Sequence, residues 1–255
     1  MLPPDAVVGE GEIRRQLMIP KVIHYCWFGG KPLPKLAEKC IDSWKKFCPD
    51  YEIVRWDESN YDVRKNEYTS FCYENKKWAY LSDFARLDIV SQYGGIYFDT
   101  DVELIKPIDD LLKFEAFFGL ETNDLVNTGL GFGSEARHPV IEEMKKEYRD
   151  RFLSAKADIV PVGCPKLNTE PLLRLGLQKN GKRQNITGAE ILPIDYLNPL
   201  ESITGRLNVT ERTISIHWYS MSAQSRGEKI RAHLTRPLHR WFGKDCFERL
   251  RRKKR

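Results

Sequence analysis

Two aspartates, Asp99 and Asp101, lie one residue apart directly after a short apolar run, residues 96–98. Gly94 and Gly95 precede that run and interrupt a helical pattern, so we predict a buried strand with both acids at its end. Two carboxylates at this spacing can bind one hard divalent cation, which prefers oxygen ligands. The alternative is a pair of exposed turn carboxylates, and the large apolar neighbours favour the metal site.

A second pair of charged residues, Asp83 and Arg86, lies three residues apart and therefore on one face of a predicted helix. A surface ion pair would explain this spacing but would contribute little. The neighbours Leu81, Phe84 and Leu87 are apolar, which indicates a largely buried helix. We therefore interpret Asp83 and Arg86 as ligand contacts, because Arg presents fixed donors suited to phosphate or sugar oxygens.

The elements that position these residues follow from apolar periodicity. The pattern predicts strands at 21–28, 51–56, 96–98, 116–120, 129–132, 191–194 and 213–218. It predicts helices at 33–47, 63–73, 78–93, 108–112, 139–152 and 171–177. Strands that alternate with helices predict an α/β sandwich with a mostly parallel central sheet. Both aspartates would then lie at the edge of the sheet where ligands bind.

Composition restricts the class of protein. The chain has 255 residues, of which 41% are hydrophobic and 30% charged, as expected for one globular domain with a small appendage. No apolar run approaches the length of a membrane span. The N-terminal residues show no apolar signal core, so we expect a cytoplasmic protein. The six cysteines lack metal-ligand spacing, which predicts free thiols and no zinc site.

Charge is unevenly distributed along the chain. Residues 226–255 hold twelve Lys or Arg and three Asp or Glu, a net charge of +9 against −4 for the remainder. We predict a loose arm at 1–18, a globular domain at 19–225 and a basic amphipathic helical tail at 226–255. Basic and aromatic residues interleave in 229–255, which suggests binding to an anionic membrane surface. The alternative is a solvated helix, and no nucleic-acid reader motif is present.

The central motifs resemble those of a known family. The pattern S-D-x-x-R at 82–86, followed by Y-G-G-I-Y-x-D-x-D-V-E-L-I-K-P-I-D-D-L at 93–111, resembles the family 32 glycosyltransferases. This group includes bacterial capsular-polysaccharide enzymes and Och1-like fungal mannosyltransferases. The same block is similar to the catalytic domain of the large clostridial glucosylating toxins. Residues 19–29 also resemble the family's first strand, so the resemblance extends from about residue 19 to residue 223.

The resemblance implies a GT-A fold, a nucleotide-sugar donor and a divalent cation, Mn²⁺ or Mg²⁺. By position, Asp99 and Asp101 would be the DxD acids that bind the metal, directly or through water and the donor ribose. Asp83 and Arg86 would hold the donor sugar, and Tyr97 would line the same pocket. Asp83, Arg86 and Asp101 are the predicted catalytic residues.

The resemblance extends to residues outside the central block. His217 would reach the metal, and Ser222 would contact the donor in a segment that closes over the diphosphate. Ala223 stands where the family usually has Trp, which puts that closing contact in doubt. Trp27 would stack on the nucleobase, with a core Trp as the alternative. Asn127 would contact the donor sugar, with an ordinary turn as the alternative.

The expected reaction is the transfer of a hexose or N-acetylhexosamine, with retained anomeric configuration, to a glycan acceptor. A UDP-sugar is favoured over GDP-mannose, and a lipid-linked acceptor at the inner face of the cell membrane would suit the basic tail. Family analogy places this reaction in bacterial surface or capsular polysaccharide synthesis. Two alternatives remain open: a catalytically silent carbohydrate-binding protein of the same fold, and a haloacid-dehalogenase-like phosphatase.

The membrane interpretation of the tail can be tested by truncation. Deleting residues 249–255 removes six basic side chains and is expected to weaken binding to vesicles that contain anionic phospholipid. Co-sedimentation with such vesicles measures this, and donor hydrolysis by the truncated protein serves as the control for folding. Unchanged sedimentation would contradict a membrane role for the tail.

Overall fold

The computed structural model describes residues 19–155, 163–220, 235–237 and 241. Its strands are β1 Val22–Cys26, β2 Glu52–Trp56, β3 Gly95–Tyr97, β4 Val102–Leu104, β5 Ala116–Thr122, β6 Leu125–Val126, β7 Phe132–Ser134, β8 Gln184–Ile186, β9 Ala189–Leu192 and β10 Ser215–His217. Its helices are α1 Lys35–Phe47, α2 Glu67–Glu74, α3 Trp78–Tyr93, α4 Pro139–Ala155, α5 Cys164–Arg174 and α6 Ile194–Leu197, with 3-10 turns at Asp109–Leu111 and Thr128–Leu130.

The central sheet has the strand order β2-β1-β3-β7-β5-β9-β8, with β6 paired to β5. Strands β1, β2, β3, β5 and β9 run in one direction, while β7 and β8 run against their neighbours. The predicted mostly parallel α/β sheet is therefore confirmed. A separate antiparallel pair, β4 with β10, lies beyond the end of β3.

Side-chain alternation along β3 decides which residues face the site. Tyr97 packs in the hydrophobic layer that contains α3, whereas Ile96 and Phe98 pack in the layer that contains α1. Successive strand residues point to opposite faces. Asp99 therefore emerges on the same side as Tyr97, towards α3, where the predicted ligand contacts lie.

Helix α3 has the bounds that its apolar periodicity predicts. Its side chains are buried on most of its circumference, including the charged Asp83 and Arg86. The helix ends because Gly94 (φ 67°) and Gly95 (φ 98°) adopt left-handed conformations that glycine tolerates best. Gly95 also allows close contact, since an added Cβ would lie 2.8 Å from the Val22 carbonyl oxygen.

Several predicted elements differ from the structure. The helix predicted at 108–112 is a 3-10 turn, Asp109–Leu111, and the helix predicted at 63–73 begins only at Glu67. The strand predicted at 129–132 is instead a 3-10 turn, Thr128–Leu130, followed by β7, because the Asn127 side chain caps the turn and Gly131 reverses the backbone at φ 114°. The helix predicted at 171–177 begins earlier, at Cys164. It includes Pro171 in its interior and carries another proline in its first turn, where proline is tolerated.

The predicted domain boundaries fall largely outside the described residues. Residues 1–18 are not described, and the basic tail 226–255 is described only at 235–237 and 241. The division into arm, domain and tail therefore stays a prediction. Among the described residues, the helices are too short or too polar to cross a bilayer.

His24 in β1 is a buried core residue whose charge state depends on folding. It is 3% exposed, lies 2.9 Å through Nε2 from the Gly94 carbonyl oxygen, and accepts from Trp56 Nε1 at 3.1 Å. Burial lowers the pKa of His24 to about 4, against the opposing effect of the Gly94 carbonyl. The unfolded chain therefore binds a proton below pH 6.5 that the folded protein excludes until about pH 4.

The free energy of unfolding should consequently fall by about 2 kcal/mol between pH 7 and pH 5 because of His24 alone. In the variant His24→Gln, which has no titrating ring, this part of the pH dependence should disappear, whatever its stability at pH 7. Urea unfolding at both pH values measures the difference. The same pH dependence in both proteins would show that His24 is not the responsible group.

Candidate active site

The two DxD aspartates and His217 form one cluster. Asp99, Asp101 and His217 each offer a ligand atom, and these atoms all lie within 4.8 Å of one another. The pairing of β10 with β4 produces this convergence, because it places His217 opposite Val102, the residue after Asp101. Positions more than a hundred residues apart in sequence thus meet at the end of β3.

Asp101 is held by a short segment that follows β10. His217 Nε2 lies 3.1 Å from its carboxylate, and the Ser220 backbone N–H donates to the same carboxylate at 2.7 Å. Burial alone would raise the pKa of Asp101, but the charge of His217 and these hydrogen bonds hold it below its usual value. Burial alone would lower the pKa of His217, and Asp101 raises it.

The cluster fits a divalent cation. Two carboxylates and an imidazole are the donor set that Mn²⁺ accepts, and Mg²⁺ is bound through carboxylates. His217 Nδ1 is buried and has no hydrogen-bond partner among the described residues, so one ring nitrogen is available while the other faces Asp101. The residues present therefore suit a metal site, with Asp99, Asp101 and His217 as ligands.

Arg86 lies buried between two carboxylates. Its guanidinium Nη2 is 2.6 Å from Asp83 Oδ1 and 3.2 Å from Asp99 Oδ1, and its side chain is 4% exposed. It also lies over the Tyr97 ring, 5.1 Å from the centroid, while the Tyr97 hydroxyl donates to Asp99 at 3.0 Å. The two residue pairs that the sequence singled out are therefore one connected group of charges.

Burial dominates the protonation of these acids. It raises the pKa of Asp83 to about 6, although Arg86 acts in the opposite direction. Burial also raises the pKa of Asp99, again against Arg86. For Arg86, burial favours the neutral form, but Asp99 and Asp83 keep its pKa well above the ordinary value. The site therefore has a permanent cation beside acids that a further cation would stabilise in the charged form.

The turn after β6 packs directly against this group. Asn127 is buried, and its side-chain oxygen accepts from the Gly129 N–H at 2.7 Å. An added Cβ at Gly129 would lie 2.6 Å from Asp99 Oδ2 and 3.1 Å from Arg86 Nη1, so only glycine permits this approach. The Asn127 side chain therefore stabilises the turn, as the ordinary-turn alternative predicted. The turn places Asn127 beside the candidate sugar site.

Trp27 and Ser222 complete the predicted set. Trp27 follows β1 at the same edge of the sheet as Asp99, because β1 and β3 run parallel with His24 opposite Tyr97. It is half-buried, and its indole N–H donates to the Lys31 carbonyl oxygen. Ser222 and its neighbour Ala223 lie outside the described residues.

Sequence reasoning missed Glu121, Tyr219 and Cys164. Glu121 lies near the end of β5, and burial raises its pKa against the opposing effects of the charge of His217 and of hydrogen bonding with Asn127 and Tyr219. The Tyr219 ring lies 4.2 Å from the ring of His217. Only proximity to His217 in the sequence could have indicated Tyr219.

Cys164 is the first residue of α5, and its side chain lies next to Arg86. Its Sγ is 2.8 Å from Asn168 Oδ1 and 3.9 Å from Arg86 Nη1. Burial raises its pKa to about 12, so the thiol stays neutral. No sequence spacing links Glu121 or Cys164 to the DxD acids.

The protein combines an α/β sandwich with a carboxylate pair at a strand end and a buried arginine beside it. The structure is similar to that of "PaToxG Glycosyltransferase", with a TM-score of 0.50, 20% identity, and 61% of this chain and 69% of that chain covered. This likeness confirms the GT-A-type fold.

Residues 34–118 match the family described as "Glycosyltransferase sugar-binding region containing DXD motif". This segment is therefore similar to the sugar-binding region of the DXD glycosyltransferases, as the resemblance implied, which favours a transferase over a phosphatase. It is 35% identical over 130 residues to "Mannosyl phosphorylinositol ceramide synthase SUR1" of Saccharomyces cerevisiae, covering 48% of this chain and 32% of that protein.

A human relative is equally similar. The chain is 35% identical over 125 residues to "Alpha-1,4-N-acetylglucosaminyltransferase" of Homo sapiens, which covers 49% of this chain and 34% of that protein. The chain thus spans about a third of the length of these two curated relatives. What they transfer, and to which acceptor, is carried over only as a proposal.

Removal of the buried guanidinium should be costly. In the variant Arg86→Met, the carboxylates of Asp83 and Asp99 lose their shared cation, and we expect a loss of about 3–5 kcal/mol in the free energy of unfolding without added metal. Lys45→Met, which breaks the exposed pair with Asp42, is the matched control and should change little. Urea unfolding measures both, and equal losses would contradict a structural role for the buried pair.

Proposed function

We propose that this protein is a metal-dependent, retaining glycosyltransferase that moves a hexose or N-acetylhexosamine from a nucleotide diphosphate sugar to a glycan acceptor. The observation that carries the proposal is the convergence of Asp99, Asp101 and His217 beside the buried Asp83–Arg86 pair. This convergence lies in and beside the segment that matches the DXD sugar-binding region.

The chemistry assigns a task to each group. The bound cation, Mn²⁺ or Mg²⁺, would neutralise charge on the donor diphosphate as the bond from the anomeric carbon to the phosphate oxygen breaks. Arg86 adds a fixed positive charge for the same purpose, and preorganised charge of this kind is a large catalytic contribution. Asp83 orients the sugar hydroxyls through Oδ2, the oxygen that does not pair with Arg86. Tyr97 supports Asp99, and Trp27 stacks on the base.

Retention requires that the acceptor oxygen bind the face of the sugar that the diphosphate leaves. The acceptor hydroxyl forms the new bond to the anomeric carbon, and its proton passes to the departing phosphate oxygen, so charge and atoms balance without a covalent enzyme intermediate. Asn127 contacts the transferred sugar. Ser222 contacts the diphosphate in the segment after β10, with Ala223 in place of the usual tryptophan.

The donor and the acceptor are proposed from two sources. The family resemblance of the sequence favours a UDP-sugar over GDP-mannose as the donor. The names of the relatives include both mannosyl and N-acetylglucosaminyl transfer. The names of fungal relatives include inositol phosphoceramide, which supports a lipid-linked acceptor. A cytoplasmic enzyme peripheral to the inner face of the membrane, in surface or capsular polysaccharide synthesis, suits the basic tail.

A donor screen tests the function. Purified protein with Mn²⁺ is incubated with UDP-glucose, UDP-galactose, UDP-N-acetylglucosamine and GDP-mannose, and release of UDP or GDP is followed. We expect slow hydrolysis of one donor, abolished by EDTA and reduced about 100-fold or more in Asp101→Asn. Asp110→Asn makes the same change at an exposed position of the 3-10 turn and should leave the rate unchanged.

Calorimetry decides the meaning of a silent screen. Binding of UDP or GDP that requires Mn²⁺ and is lost in Asp101→Asn would leave two explanations: an enzyme that strictly needs its acceptor, or a catalytically silent protein. Adding a glycan acceptor to the donor assay distinguishes them, because only the enzyme would then release nucleotide. Failure of either nucleotide to bind in the presence of Mn²⁺ would overturn the proposed function.

A further inference from the structure

A second pocket lies apart from the metal-binding cluster. It has a volume of about 180 Å³ and sits between the end of β2, the loop that follows it, and the C-terminal part of α3. The residues that line it are Trp56, Asn60, Tyr61, Asp62, Lys65, Ile89, Gln92 and Tyr93. Pockets for drug-sized ligands are typically larger, so this one suits a single ring-sized unit.

Aromatic rings form one wall of the pocket. Trp56 and Tyr93 are stacked, with ring centroids 5.3 Å apart and an interplanar angle of 29°. The Trp56 indole is fixed from behind by its hydrogen bond to His24, whereas Tyr93 is 49% exposed. The wall is therefore a rigid aromatic surface with one edge open to solvent, which suits a ligand with a flat apolar face.

Most of the other lining residues are polar, and a buried carboxylate holds two of them, Tyr61 and Lys65, in place. Asp88, 4% exposed, accepts from Lys65 Nζ at 2.7 Å and from the Tyr61 hydroxyl at 3.3 Å, and pairs with Lys145 at 3.3 Å. On the opposite side, Gln92 Nε2 donates to the Tyr93 hydroxyl at 3.1 Å. Polar side chains with defined hydrogen bonds, Tyr61, Lys65 and Gln92, thus lie beside the aromatic wall.

The pocket is close to the candidate active site without sharing its residues. Tyr93 lies seven residues after Arg86 on α3, a separation of about 10 Å along the helix. The loop after β2 connects the two places, because Glu58 accepts from the Gly29 N–H at 2.7 Å, two residues after Trp27. An oligosaccharide of a few units would span this distance.

We propose that this pocket binds one pyranose unit of the acceptor glycan, remote from the hydroxyl that reacts. A pyranose ring has an apolar C–H face that packs on an aromatic ring and hydroxyl groups that need directed polar partners, and the lining offers both. The choice of a glycan as ligand rests on the proposed function, whereas the pocket itself does not depend on a metal or a donor.

Saturation-transfer NMR tests the proposal on the full chain. The probes are the methyl glycosides of glucose, galactose, mannose and N-acetylglucosamine at millimolar concentration, with no nucleotide present. We expect transfer to at least one glycoside, reduced by at least about five-fold in Tyr93→Ala and largely retained in Tyr93→Phe, which keeps the ring. Leu175→Ala, a truncation of another exposed apolar side chain, should have no effect.

The variant Asp101→Asn separates this pocket from the active site. Transfer to the glycoside should persist in Asp101→Asn, even though this change is expected to reduce donor hydrolysis about 100-fold or more, so the two proposals can fail independently. Absence of transfer to every glycoside, loss of transfer in Asp101→Asn, or equal transfer in Tyr93→Ala would each overturn the assignment. Thermal unfolding of each variant verifies that the fold is intact.

Discussion

The site depends on the ion pairs of the buried Arg86 guanidinium. A charged group removed from water must be paired, and Arg86 is paired at once with Asp83 on its own helix and with Asp99 at the end of β3. The pairing fixes the position of α3 relative to the strand that carries the DxD motif. The two sequence motifs consequently form one rigid unit, and Gly129 lets the next turn pack against it.

The second constraint is the pairing of β10, the last described strand, which brings the segment after it to the site. The pairing of β10 with β4 places His217 beside Asp101. The Ser220 N–H then donates to the Asp101 carboxylate, while the Trp218 N–H donates to the Asp101 backbone carbonyl oxygen. Tyr219 adopts a left-handed conformation at φ 49°, and its hydroxyl donates to Asn198 at 2.9 Å. Such strain persists only where the surroundings determine it. Here the contacts of Tyr219 and Ser220 hold the segment after β10 against Asp101 and His217.

The distribution of charge determines which ligands the site can bind. Among the described residues near the cluster, the acids Asp83, Asp99 and Glu121 have pKa values raised by burial, while Arg86 provides a permanent positive charge. A divalent cation with a diphosphate would place further opposite charges in a region of low dielectric constant, where they interact strongly. The second pocket differs, because one wall of it is aromatic and its lysine, Lys65, is already paired with the buried Asp88.

Local sequence patterns were sufficient to predict several elements. Helix α3 has its predicted bounds because apolar periodicity marks its buried faces and Gly94 ends it, and the DxD acids follow a buried strand as expected. The spacing of Asp83 and Arg86 correctly placed them on one helix face. The resemblance supplied His217, which no local pattern would have connected to Asp101.

Tertiary structure decided what depends on contacts between distant segments. Glu121 and Cys164 reach the site from β5 and α5, and neither has a spacing relation to the DxD acids that a sequence pattern could reveal. The turn at Thr128–Leu130 replaced a predicted strand because a side-chain cap and the backbone freedom of Gly131 outweighed β propensity. Periodicity reports which side of an element is buried, but only packing determines which buried groups meet.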